Sequence, residues 1–186
     1  VLEAPFAAQA VLEGPRVRLV QLTEAVLDDY AAALDDPELQ RLTGSRAPVE
    51  RAALRAWLRS RREHADRADW AVLRRSDNVF LGEAVLNELS PEDASCNFRI
   101  WLSGAHVGQG YGTEATRLVV EHALRDVGLH RVSLSVYAFN ERARRSYERC
   151  GFVLEGRLRD ALRWEGRWHD ELVMAALEGD LPPQRG

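Results

Sequence analysis

The sequence predicts a mixed α/β fold, a mostly antiparallel sheet containing one parallel crossover, and three observations carry that prediction. Short apolar runs come first and read as strands and a hairpin; a strand, a glycine-rich loop and an amphipathic helix then follow one another over residues 97–127; two further strands close the chain around a turn. A strand leading through a helix to the next strand makes a parallel pair, and such crossovers are right-handed by default.

The elements follow in order. Arg16 to Leu22 alternates as a strand should, and Thr23 stands as N-cap of a helix through Ala33 that Asp36-Pro37 ends. Pro48 introduces a second helix over 49–63, with Leu54, Trp57 and Leu58 on one face. Its Arg55, Arg59, Arg61 and Arg62 read either as a patch for an anionic partner or as a solvated face balanced by Glu63 and Asp66, the latter being favoured. Trp70 to Leu73 and Val79 to Leu86 flank the polar turn RRSDN as a hairpin, and Asn97 to Leu102 is the next strand. The helix from Thr113 to Val127 keeps Ala115, Leu118, Val119, Ala123 and Val127 at helical spacing and stops at Gly128. Arg131 to Val136 is a strand, Glu141 to Arg149 a short helix, and Phe152 to Leu158 and His169 to Ala176 are strands around the turn WEGRW. A single domain is expected over 11–178, with flexible ends at 1–10 and 179–186.

Composition narrows the function. The chain has 186 residues, 46% hydrophobic and 29% charged, which is ordinary globular usage. Its net charge of −4 gives no general attraction for nucleic acid. All 25 basic residues are arginine, so the lysine of a Walker-type phosphate loop is missing. Cys96 and Cys150 lie far apart and read as buried free thiols; no cysteine or histidine pair has zinc-ligand spacing, and no metal is expected. No segment has the length of a membrane span and no secretory leader pattern opens the sequence, so a soluble cytoplasmic protein is expected.

The most informative segment is WLSGAHVGQGYGTEAT, Trp101 to Thr116. Glycines at 108, 110 and 112 allow close approach of the main chain to a ligand, and the following helix start offers unpaired N–H groups with a positive dipole end. The result is either an anion cradle or a merely structural tight loop. A dinucleotide fingerprint does not fit, because the third glycine arrives one residue early for G-x-G-x-x-G.

VGQGYGTEA resembles the pyrophosphate loop of the GNAT superfamily, R/Q-x-x-G-x-G/A, with Gly110 and Gly112 on the fixed glycines and Val107 in the R/Q place. NERARRSYERCGF, from Asn140 to Phe152, is similar to a second motif of that superfamily, N-x(6)-Y-x-x-x-G-F, and LGEAVL at 81–86 and GRWHDELVMA at 166–175 complete the likeness. Within the superfamily the chain resembles the RimJ/RimL-like branch. The resemblance implies a GNAT fold with a central sheet of about six or seven strands, one central parallel pair splayed apart and helices on both faces. It implies acetyl-CoA as cofactor, lying between the strands around Ile100 to Leu102 and Arg131 to Val136, with the main chain of Trp101 and Leu102 on the pantetheine arm. The diphosphate would sit on Val107, Gly108, Gln109, Gly110, Tyr111, Gly112 and Thr113. The implied activity is direct acetyl transfer to a primary amine in a ternary complex, the amine being a protein N-terminus or a small molecule such as a polyamine, aminoglycoside or amino acid. A non-catalytic acyl-CoA-binding module is the alternative, and a homodimer is a further expectation.

Transfer to an amine needs an acceptor for the amine proton and a donor to the departing thiolate. Tyr147 matches the family position of the donor, the alternative being a tyrosine packed beside Phe152. Glu83, in a strand with Val79, Leu81 and Val85, is either a buried base of raised proton affinity or a strand-edge carboxylate facing water; Glu88 is the second candidate. Asn140 reads as a helix cap with an added ligand contact. His106 reads as a solvent residue. Trp164, Trp168 and Asp170 stand where related enzymes build the acceptor pocket, and cross-hairpin packing accounts for the same residues.

Overall fold

The computed structural model describes residue 6, residues 9–46 and residues 48–183. Eight strands form one sheet: β1 (Leu12–Glu13), β2 (Val17–Gln21), β3 (Ala68–Arg74), β4 (Phe80–Ser90), β5 (Ser95–Leu102), β6 (Arg131–Tyr137), β7 (Val153–Trp164) and β8 (Arg167–Ala176). Their order is β1-β2-β3-β4-β5-β6-β8-β7, and every pair is antiparallel except β5–β6. The helices are α1 (Leu27–Leu34), α2 (Pro37–Thr43), α3 (Arg51–Ser60), α4 (Tyr111–Glu121) and α5 (Glu141–Arg149).

Strand alternation sends side chains to two cores. Trp70 and Val72 of β3 join Ala115, Val119 and Tyr147 in the larger one, beneath α4 and α5. Ala71 and Leu73 face the other way, against Tyr30 of α1 and Leu54 and Leu58 of α3. Helices therefore cover both faces, as expected.

Several boundaries differ from the sequence reading. Asp36-Pro37 ends α1 but also starts α2, because the Asp36 side chain accepts from the Glu38 N–H at 2.9 Å and proline suits the first helical position. Helix α4 begins at Tyr111, two residues earlier than expected, and its last turn widens to π pitch over His122–Asp126. The closing hairpin is longer than expected, and the short β1 adds an edge. The expected flexible ends fall partly outside the described residues. Within those segments Phe6 and Leu181 are buried in the larger core, and Gln9 donates to the Asp69 carbonyl at 2.8 Å. Among the described residues no helix is long and apolar enough to cross a membrane.

What positions the site is the central parallel pair. Pairing of β5 with β6 covers only Ser95↔Arg131, Cys96↔Val132 and Asn97↔Ser133. Beyond Asn97, β5 keeps to β4 as far as Gly82↔Leu102, while β6 keeps to β8 as far as Tyr137↔Glu171, so the two strands part. Gly82 makes the first of these pairings possible: with φ of 157°, a Cβ placed there would lie 2.1 Å from the Trp101 carbonyl oxygen. Gly82→Ala should therefore lose about 2–4 kcal/mol of folding free energy in urea denaturation; wild-type stability would mean the strands have room to separate.

Candidate active site

The parting of β5 and β6 opens a cleft of about 690 Å³. Glu83 of β4 and Trp101 and Leu102 of β5 border it, as do Val107, Gly108 and Gly110 of the loop, Gly112 and Thr113 in the first turn of α4, and Asn140 and Tyr147 at the cap and in the body of α5. Residues as far apart in the chain as Tyr30 and Glu171 thus meet along one opening.

The loop has the geometry of an anion cradle. Gly108 and Gly110 have φ of 81° and 88°, and Gly110 caps α4 without any side-chain hydrogen bond to the first turn. A Cβ at Gly108 would meet nothing within 4 Å, so glycine is required there by backbone conformation, and the space beside it is free for a ligand. Thr113 Oγ1 and Ser146 Oγ lie 2.7 Å apart, tying the loop to α5. Two of the expected cofactor residues, Gln109 and Tyr111, do not line the cleft: the Gln109 amide donates to the Ala105 carbonyl at 3.0 Å, and the buried Tyr111 ring lies 4.3 Å beneath the Arg16 guanidinium. Arg16 also donates to the Gln109 carbonyl at 2.9 Å, and Glu114 accepts from the backbone N–H groups of Arg16 and Val17. Arg142 and Arg149 of α5 border the same cleft and were not singled out in the sequence; the arginine run of NERARRSYER was the available signal.

Glu83 is only 3% exposed. Its Oε2 accepts from the Trp101 indole N–H at 2.9 Å and from the Tyr30 hydroxyl at 3.1 Å, while Oε1 is buried with no partner among the described residues. Burial and, next, the charge of Asp69 push the carboxyl up to about 7, against the opposing pull of both hydrogen bonds and Arg99. Tyr30 and the Trp101 indole are thus hydrogen-bond partners of Glu83 that sequence reasoning missed, because nothing local links residue 30 to residue 83.

Tyr147 is buried with its ring edge-on to Phe152, centroids 5.8 Å apart, so packing and a place on the cleft coexist. Burial, with a smaller contribution from Cys150, holds its hydroxyl above the usual tyrosine range. Asn140 caps α5, its Oδ1 accepting from the Ala143 N–H at 3.2 Å.

Four expected residues lie elsewhere. Glu88 is exposed at the far end of β4, at a bulge where its φ is 53°. Trp164 and Trp168 sit at the β7–β8 turn, under Arg46 and Arg163, and Trp168 is 58% exposed. Asp170 pairs with Arg157 at 3.0 Å and accepts from the Asp160 N–H at 2.9 Å, which fixes the β7 bulge. The carboxylate that β8 does contribute to the cleft is its neighbour Glu171, opposite Tyr137 of β6. Among the described residues no group of three or more His, Cys, Asp or Glu is placed to hold a metal ion.

A model of the acetyltransferase (GNAT) domain matches residues 16–153. The probable N-acetyltransferase YjcK of Bacillus subtilis is 40% identical over 80 residues, which are 43% of this chain and 44% of that protein. The putative ribosomal N-acetyltransferase YdaF of the same organism is 29% identical over 118 residues, 63% of this chain and 64% of that protein. The matched stretches therefore span less than two thirds of either relative. The spermidine N-acetyltransferase of Vibrio cholerae, solved with CoA and spermine, superposes with a TM-score of 0.82 over 90% of this chain and 98% of its own, at 21% identity, a likeness of fold.

A carboxyl whose proton affinity is raised by folding has a definite stability signature. The native state keeps a proton that the unfolded chain releases near the usual 4.5, so the favourable contribution is complete below that pH and is lost as pH rises through about 7. Over this interval the loss amounts to about 3 kcal/mol. Glu83→Gln, which cannot ionise, should therefore gain about that much relative to wild type between pH 4.5 and pH 8 in urea denaturation; a difference independent of pH would mean that Glu83 titrates normally.

Proposed function

This chain belongs to the GNAT acetyltransferase family, whose members take their acetyl group from acetyl-CoA, and we propose that it passes that group directly to a primary amine held on the Glu83 side of the cleft. The observation that carries this reading is the juxtaposition of an open helix N-terminus, suited to phosphates, with a buried, half-satisfied carboxylate on one cleft.

The residues fit the cofactor. The main chain of 108–113 would hold the diphosphate, Arg142 and Arg149 supply charge beside it, and Trp101 and Leu102 offer strand edge to the pantetheine arm. When bound, acetyl-CoA supplies an acetyl thioester. Glu83 takes the proton of the attacking amine on its free Oε1, and the Tyr147 hydroxyl gives a proton to the departing sulfur. A C–N bond forms as the C–S bond breaks, and one proton passes from nitrogen to sulfur overall, with solvent returning Tyr147 to its neutral form.

The proposed acceptor is a protein N-terminal α-amine, as in RimJ/RimL-like enzymes. An α-amine of about 7.7–8.0 is close in proton affinity to a carboxyl near 7, so proton transfer between them is nearly balanced. A second reading, a small polyamine, is favoured by a specific observation: Glu83 and Glu171 both border the cleft, which Tyr30, Trp101 and Tyr137 also line. The proposed setting is the cytoplasm, in keeping with two buried thiols that form no disulfide. A second copy along the free edge of β7, where Val153, Leu154 and Leu158 are exposed, is the proposed partner.

Acetyl-CoA should raise the melting temperature while NAD and ATP do not, and Gly110→Val should abolish that rise while keeping the native circular dichroism; a retained shift would make the loop merely structural. Tyr147→Phe should slow thiol release by about 10²- to 10⁴-fold with CoA affinity preserved, and unchanged turnover would remove it from the acid role. Thiol release with N-terminal peptides, polyamines, aminoglycosides and amino acids decides between the acceptors.

A further inference from the structure

Among the described residues two buried carboxylates stand on one face of the sheet, and an arginine is hydrogen-bonded to one of them, Asp69. Asp69 on β3 is 1% exposed and Glu83 on β4 is 3% exposed. The register pairs Asp69 with Val85 and Ala71 with Glu83, so alternation makes Asp69 and Glu83 diagonal neighbours, a relation that separates residues by about 7–8 Å. Arg67 holds both oxygens of Asp69, Oδ1 at 2.6 Å and Oδ2 at 2.8 Å, and Gln9 brackets its backbone on the N–H and carbonyl sides. Glu83 receives instead two neutral donors on one oxygen and, among the described residues, none on the other.

The other charged and titratable groups facing Glu83 come from each element packed on it. Tyr30 comes from α1, Arg61 from the turn after α3, Arg67 from the start of β3, and Arg99 from β5, where its pairing with Val85 makes it the opposite diagonal neighbour. Two carboxylates this close in a dry environment cannot both carry charge cheaply, and the arginine clamp sits on Asp69 and not on Glu83.

We infer that Asp69, locked by Arg67, is a positioning residue for Glu83: its fixed charge makes the neighbouring carboxyl grip a proton harder than an ordinary carboxylate, and so makes Glu83 a base able to serve an amine. The inference deepens the proposed function and rests on Glu83 being the base. It explains why a carboxylate with no catalytic contact is buried and paired beneath the acceptor side of the cleft.

The Trp101 indole N–H, donated to Glu83, reports that carboxyl's protonation in a ¹⁵N–¹H titration of the full chain, with no acceptor required. Glu83→Gln should abolish the inflection and so assign it. Asp69→Asn should lower the midpoint by about one pH unit and Arg67→Gln should raise it. A residue that only packs the sheet would move neither, or both the same way. Arg67→Gln also removes a cation that itself faces Glu83, so if Asp69→Asn fails to fold, Asp69→Ser takes its place. A midpoint unmoved in the folded Asp69 variant overturns the role of Asp69. Wild-type thiol release by Glu83→Gln overturns the base reading instead, whatever the midpoints do.

Discussion

Pairing between β5 and β6 lasts for three residue pairs, and the site exists because it ends there. Each strand has a stronger claim on its outer side. The register of β5 with β4 continues to Leu102, and that of β6 with β8 continues to Tyr137. Twist accumulates across a sheet, so two neighbours that each follow a different partner separate in a wedge. Into that wedge open the start of α4 and residues of α5, α1 and β8.

Both signs of charge border the wedge: Arg99, Arg142 and Arg149 line it together with Glu83, Glu171 and the rings of Tyr30, Trp101 and Tyr137. The opening thus combines cationic, anionic and aromatic groups on a protein whose overall charge is only −4. Stability is spent at Glu83, which lies buried with one carboxylate oxygen lacking a partner among the described residues. Such local loss suits the proposed role of Glu83 as base, since satisfying Oε1 within the fold would leave the carboxylate a weaker proton acceptor.

What could be read from the sequence was local. The glycines at 108, 110 and 112, the helix cap at Asn140 and the position of Tyr147 are close-range patterns, and each borders the cleft. The buried character of Glu83 was half legible, from the apolar residues around it in its strand. Its donors were not, because Tyr30 lies 53 residues away and only tertiary packing brings them together. Proximity to a turn misled at Trp164, Trp168 and Asp170: hairpin alternation and their own arginine partners hold them off the cleft, and Glu171, one residue further, faces it instead. Asp36-Pro37 was read as a stop, although the same pair is an equally good start.

Arg16 lies on the far side of the glycine loop and has no place on the cleft, yet it grips the Gln109 carbonyl. A trans peptide is planar, with its C=O and N–H pointing opposite ways. Anchoring that oxygen outward therefore turns the Gly110 amide hydrogen to the other side, where the chain borders the opening. A single guanidinium 93 residues upstream thus works as an orientation pin, choosing which rim of a glycine-rich turn shows donors and which shows acceptors.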